Sequence, residues 1–179
     1  MTDIIPFPAL IFYFMVYAFF GWLLENFTSL ATKGTFFKAN FMKGPFKPMY
    51  GLAPVIFLIM IRPEMKFPAK LFLCLLIPTV VEYTSGWLLE TFFKRKWWDY
   101  SRQPFHLHGH ICPAYSLCWL FLAMICLTYI QPVMIWIYLS IEKVWLSFYP
   151  IILIYFIIEM LLAIKRHLPE QVGSSQPST

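Results

Sequence analysis

Three acidic positions and one histidine run are the residues of this chain whose types and spacing suit chemistry. Glu82 falls near the middle of an apolar stretch, residues 67–92. A charge at such a place in a lipid-embedded helix costs at least about 2.5–3.5 kcal/mol. A carboxyl there is expected to face other helices and either hold a cation or polar solute or accept a buried hydrogen bond, and burial favours its neutral form. Glu25 and Glu90 each sit beside a tryptophan in the heptapeptides Gly21-Trp22-Leu23-Leu24-Glu25-Asn26-Phe27 and Gly86-Trp87-Leu88-Leu89-Glu90-Thr91-Phe92. An acid at the end of an apolar helix is ordinarily an interfacial group that pairs locally, and the i,i+4 spacing of Glu90 and Lys94 suits such a pair. Its recurrence at equivalent places beside Trp22 and Trp87 suits a shared transport or architectural role, with Asp99, Pro48, Pro113, Tyr50 and Tyr115 as further candidates. Glu159, in a later apolar run, is a weaker case of the Glu82 kind. Finally, His106-Leu107-His108-Gly109-His110 would place three imidazoles on one face of an extended segment. Such a face suits a transition metal, with Asp99 or Glu90 completing it. The plainer alternative is a polar loop returning to a membrane surface, with Trp97 and Trp98 in an aromatic belt. The expectation is no metal, no cofactor and no catalytic residue.

The elements that must position these residues follow from composition. The 179 residues are 60% hydrophobic, 20% aromatic and only 13% charged, with a mean hydropathy of +0.66. A soluble domain of this size leaves roughly a third of its chain surface in water, which this composition does not suit; a lipid solvent removes the conflict. The reading is an all-α membrane protein with about five transmembrane helices in one transmembrane domain, residues 1–168, spans needing about 20 mostly apolar residues each. They fall at 8–30, 48–62 (short, with Pro54), 67–92 (with Pro78), 112–130 and 148–165. Residues 132–147, with Trp136, Tyr138, Glu142, Lys143 and Trp145, read as an interfacial helix that also permits a partial span. The fourth span is expected to end before Gln131-Pro132, and the polar tail, 169–179, to be disordered and cytoplasmic. The opening Met-Thr-Asp-Ile-Ile-Pro lacks a signal-peptide charge pattern, so the first helix is expected to be retained. Cys74, Cys112, Cys118 and Cys126 show no CxxC spacing and read as reduced space-fillers.

The first four spans form an internal repeat. The two Gly-Trp-Leu-Leu-Glu segments lie 65 residues apart, and Gly44, Pro48, Tyr50 and Leu52 recur at the same offset as Gly109, Pro113, Tyr115 and Leu117. Units of about 8–62 and 67–130, each with two spans, share one orientation, which predicts a parallel repeat about an axis along the membrane normal. Gly21 and Gly86 are then equivalent points of close helix approach. Tyr17 is the repeat mate of Glu82.

The net charge of +5 does not argue for nucleic acid, because the basic residues sit in short loops beside apolar spans, where lipid is the better partner. The loop alternating Lys33, Phe36, Phe37, Lys38, Phe41, Lys43, Phe46 and Lys47 suits anionic headgroups. In a five-span arrangement ten basic residues (Lys33, Lys38, Lys43, Lys47, Lys94, Arg95, Lys96, Arg102, Lys165, Arg166) face one side and four (Arg62, Lys66, Lys70, Lys143) the other. That places the N-terminus outside and the C-terminus in the cytoplasm. There is no GxxxxGK[ST], GxSxG or HExxH motif.

At Phe20–Phe27 (FGWLLENF), 44–51 (GPFKPMYG), 82–90 (EYTSGWLLE), 97–101 (WWDYS) and 111–117 (ICPAYSL), in that order, the chain resembles a bacterial family of ABC-transporter permeases of the CmpB type. The resemblance covers roughly residues 10–165. It implies a small multi-span protein of the bacterial cytoplasmic membrane, working as an oligomer or with a separate ATP-binding subunit. Glu25, Glu82, Glu90, Trp97, Trp98, Asp99, Pro113 and Tyr115 fall on the matching positions. The family more often has Asn and Arg where this chain has His108 and His110, which tells against a metal. The function so expected is a permease-like membrane component of unknown substrate. The alternatives are a non-catalytic accessory or sensing subunit, or a membrane-embedded enzyme acting on a lipid-linked substrate.

Overall fold

Proline opens every helix of the computed structural model, which describes residues 5–62 and 64–168. In the first turn of a helix proline's missing N–H costs nothing, and its fixed φ suits the helix. Accordingly α1 (Phe7–Lys33) starts with Pro8 in its first turn, α2 (Pro48–Met60) with Pro48, α3 (Phe67–Phe93) with Pro68 and α4 (Pro113–Ile125) with Pro113. α1 ends where Gly34 turns left-handed (φ 69°) and its N–H caps the Leu30 carbonyl; Lys94 (φ 54°) does the same for Glu90 at the end of α3. Among the described residues there is no β-strand; one antiparallel bridge joins Leu107 and Ile111. The all-helical expectation holds. The expected disorder of 169–179 falls outside the described residues.

Three helical runs, Phe7–Lys33, Phe67–Phe93 and Pro113–His167, are long and apolar enough to cross a membrane. Large apolar side chains such as Phe72, Phe121 and Ile151 point outward from them, the pattern of helices that meet lipid rather than water. By contrast α2, about 20 Å long at 1.5 Å per residue, falls short of a hydrocarbon core of about 30 Å.

The chain departs from expectation after α4. The helix does not stop before Gln131-Pro132, and no separate helix covers 132–147. A π-helical turn, Cys126–Ile130, joins α4 to α5 (Gln131–His167), making one 55-residue run. The Gln131 N–H reaches back to the Cys126 carbonyl, five residues away. This wider turn shifts the hydrogen-bond register immediately before Pro132, which has no N–H to give, so the helix continues where a break was expected.

The run then bends. On a straight helix Gln131 and Phe156 would lie about 37 Å apart. Yet Gln131 accepts a hydrogen bond from Tyr17 (2.7 Å) and the Phe156 ring meets Phe14 (5.3 Å), one turn apart on α1. Between them Trp145 reaches the Pro8 carbonyl near the other end of α1 (2.7 Å). α5 therefore runs along α1 toward its N-terminus and doubles back, with Pro150 inside the bend.

Three apolar clusters hold the bundle. Phe12, Tyr13 and Tyr17 of α1 pack on Met134, Tyr138 and Trp145 of α5. Ala53 and Phe57 of α2 meet Cys74, Ile77 and Val81 of α3 and Ala123 of α4. In the third, Met42 comes from the α1–α2 loop and sits fully buried among Met15, Phe156 and Ala163. That loop enters the bundle rather than lying over it. Irregular backbone at such depth needs internal partners. Lys47 donates its N–H to the Ala18 carbonyl (2.9 Å). Glu159 of α5 accepts from the Lys43 and Gly44 N–H groups (2.7 and 3.0 Å). Glu159 is thus a backbone clamp for the loop.

Candidate functional site

The first loop, the α3–α4 loop and the end of α5 meet at one end of the bundle, where Phe41 packs against Phe93, Trp97 and the His167 ring. Beneath this lid of rings is a cavity of about 1010 Å³, bounded by all the helices. Its polar wall carries Glu25, Lys38, Lys47, Glu82 and Tyr100; Leu24, Leu88, Leu122 and Ile164 supply part of its apolar wall.

Glu25 is held by two ammonium groups. Lys38 lies 2.6 Å from Oε2, and Lys47 contacts the same oxygen. The Lys47 and Glu25 side chains are only 13% and 16% exposed, so this is a largely interior ion pair. Tyr50 lies against the same carboxylate. Asn26 beside it accepts the Lys38 backbone N–H (2.9 Å), which fixes the loop's first pass across α1. The two lysines were expected to face lipid headgroups; the structure turns them inward. The clue in the sequence was a lone acid at a helix end followed by a lysine-rich loop.

Glu82 is buried, 2% exposed, as its place in the apolar run requires. Tyr100 of the α3–α4 loop donates its hydroxyl to Oε1 (2.9 Å). Burial and the neighbouring Glu82 push the Tyr100 hydroxyl's pKa up, so it stays a donor. The other oxygen, Oε2, is buried without a hydrogen-bond partner among the described residues. The Trp119 indole stands beside the carboxyl. Aromatic rings line the approach: Tyr100 stacks on Tyr115 with centroids 4.4 Å apart, and Tyr50 meets Trp119 edge-on at 5.1 Å.

Glu90 stands apart from this cavity. It does not pair with Lys94, whose left-handed backbone turns the chain out of the helix. Instead Lys96 comes within 3.7 Å and His110 Nε2 within 3.1 Å of a carboxylate 43% exposed. Glu90 and His110, with Tyr83, Trp87, Lys94 and His108, line a second cavity of about 560 Å³.

The three histidines do not share a face. Positive φ at Phe105, His108 and Gly109 coils 105–109 into a tight turn instead of an extended strand. His106 Nδ1 accepts the Gly109 N–H, His108 Nδ1 meets the Tyr83 hydroxyl and His110 turns to Glu90. Asp99 bonds Ser101, which holds its carboxyl below the usual range. No cluster of three or more His, Cys, Asp or Glu fit for a metal occurs among the described residues.

The paired motif residues divide similarly. Pro48 and Pro113 each start a helix. Tyr50 fills the space over Gly21, where a Cβ would overlap its ring, whereas Gly86 is covered by His110 and Trp98. Trp22 stacks on Phe19, while Trp87 is half exposed. Nothing in the sequence signals the Tyr17–Gln131 bond, which joins α1 to the first residue of α5, where the π-turn carries the helix past the expected stop.

A family model described as "Putative ABC-transporter type IV" matches residues 12–164. The chain belongs to this family. The match takes in both Gly-Trp-Leu-Leu-Glu segments, Glu82 and Glu159 alike, and with the long apolar helices it fits a membrane component of an ABC-transporter type IV system. No curated protein and no solved structure matches the chain.

Proposed function

We propose that this chain is a permease-like subunit of an ABC-type transport system and that its solute binds in the large cavity beside Glu82. The observation that carries the reading is a buried carboxyl with one oxygen unpartnered among the described residues, in the wall of a cavity large enough for a drug-sized molecule. Glu25, already neutralised by Lys38 and Lys47, has an architectural role in this reading: it draws the first loop into the bundle. Glu90, Trp22, Trp87 and Asp99 shape the loops around the cavity.

In the orientation that the distribution of Lys and Arg favours, the N-terminus lies outside, the C-terminus lies in the cytoplasm, and the cavity sits at the cytoplasmic end of a bacterial inner membrane. The first four helices form a parallel two-fold repeat about the membrane normal. Loops 34–47 and 94–112 are the surface offered to a separate ATP-binding protein, and Lys33, Lys43 and Arg95 meet anionic headgroups. The chain works as an oligomer, since one small bundle, with α2 too short to span, encloses little of a translocation path.

Gentle affinity purification from the native membrane tests the reading. A stoichiometric ATP-binding protein should co-elute, and be lost when loops 34–47 and 94–112 are altered. Elution of the chain alone, or only with itself, would remove the transport assignment.

A further inference from the structure

We infer that the cavity beside Glu82 takes an organic ammonium ion carrying an apolar body. The inference rests on the reading of that cavity as the solute site, and it names the class of solute.

Charge decides the head. Two acids line the cavity. Glu25 already holds two ammonium groups. Glu82 receives one neutral hydroxyl bond on Oε1, and its Oε2, buried and unpartnered, is left for a donor or a positive charge.

The surroundings decide which kind of cation. A hard metal ion would need about six oxygen ligands, and the groups around Glu82 are mainly rings. Tyr50, Tyr100, Tyr115 and Trp119 line the same cavity, in two touching pairs. Aromatic faces stabilise alkylammonium groups, by up to about 2 kcal/mol or more when desolvated. A carboxylate among aromatic rings recognises an amine or a quaternary ammonium in preference to a hydrated inorganic ion.

Shape decides the body. Beyond the rings the wall continues as Leu88, Leu122 and Ile164, and the volume of about 1010 Å³ exceeds what a small ammonium fills. The space suits a molecule with a compact cationic head and an apolar remainder of drug size.

Equilibrium dialysis of the purified full chain in a nonionic maltoside detergent tests this. Three probes share one aromatic body: benzyltrimethylammonium, benzyl alcohol and benzylphosphonate. The cation is expected to bind at least tenfold more tightly than the alcohol and the phosphonate. Glu82→Gln should abolish that preference while benzyl alcohol binding stays unchanged. Tyr100→Phe, which keeps the ring, should weaken cation binding less than Trp119→Leu. Equal binding of cation and alcohol by the native chain would overturn the inference, and needs no variant to fold. Tighter binding of the phosphonate would overturn it too, handing the cavity to Lys38 and Lys47. The two readings fail separately. Ammonium preference without an ATP-binding partner keeps the site and ends the transport assignment; a partner without ammonium preference does the reverse.

Discussion

Glu25 and Glu90 occupy the same place in the same five-residue motif, yet their surroundings are opposite. Glu25 is an interior carboxylate gripped by Lys38 and Lys47, while Glu90 is 43% exposed and held loosely by Lys96 and His110. The helices do not create the difference. It comes from the loops: the first dives into the bundle, buries Met42 and brings two lysines across α1, whereas the α3–α4 loop sends Tyr100 to Glu82, coils at 105–109 and offers Glu90 an imidazole. A repeated motif thus sets where an acid stands, and a divergent loop decides what it does there. At the same 65-residue offset, Tyr17 of α1 uses its hydroxyl to bind Gln131, while Glu82 of α3 keeps one oxygen unpartnered among the described residues in the cavity wall.

The widest gap between the two sites should appear on neutralising the acids. Glu25→Gln leaves Lys47 largely buried without a counter-charge, and breaking one partner of a buried pair costs about 3–5 kcal/mol, toward the lower end here because Lys38 is partly solvated. Glu90→Gln should cost under about 1 kcal/mol, as for exposed pairs. Thermal unfolding in detergent, monitored by circular dichroism, reads both. Equal losses would mean that burial does not separate the sites. Adding Lys47→Gln to Glu25→Gln should recover part of the loss, since the stranded charge goes with it.

What could be read from the residues alone divides along the same line. Apolar run length and proline placement gave α1, α3 and the starts of α2 and α4, because backbone satisfaction in lipid leaves helices few alternatives. The burial of Glu82 was legible for the same reason. The continuation through Gln131-Pro132 was not, since a π-turn absorbs the missing N–H at a place where proline ordinarily ends a helix. Nor was the inward turn of Lys38 and Lys47, or the Glu159 clamp on Lys43 and Gly44, because both depend on a loop's path through space. The His106–His110 run misled through its spacing: alternation implies one face only in an extended chain, and the positive φ values there remove that condition.

A smaller contrast lies at the paired glycines. A Cβ on Gly21 would overlap the base of the Tyr50 side chain, which is pinned close to the α2 backbone; on Gly86 it would meet the His110 and Trp98 rings, which reach in from a loop. Gly21→Ala should therefore destabilise by about 1–3 kcal/mol, in the range of overpacked cores. Gly86→Ala should lose less, because the loop can shift. A Gly86→Ala loss as large as that of Gly21→Ala, in the same melts, would show the α3–α4 loop to be as rigid as a helix.

The smallest expected effect separates the sites by pH. Burial pulls the pKa of His110 below its usual value, and Glu90 opposes this only in part. The folded protein then binds fewer protons at this site than the unfolded chain, so stability rises with pH and is lost on acidification through and below about pH 6.5, the ordinary imidazole value. The first site has no imidazole. Melting midpoints taken from pH 7.5 to 5.5 should fall by roughly 1–3 °C more in the native chain than in His110→Asn. Glu90→Gln should steepen the fall, because removing the carboxylate lowers the His110 pKa further and widens the proton difference. A shallower fall in Glu90→Gln would mean that the imidazolium–carboxylate pair outweighs burial, and His110 would then act with Glu90 as Lys38 and Lys47 act with Glu25.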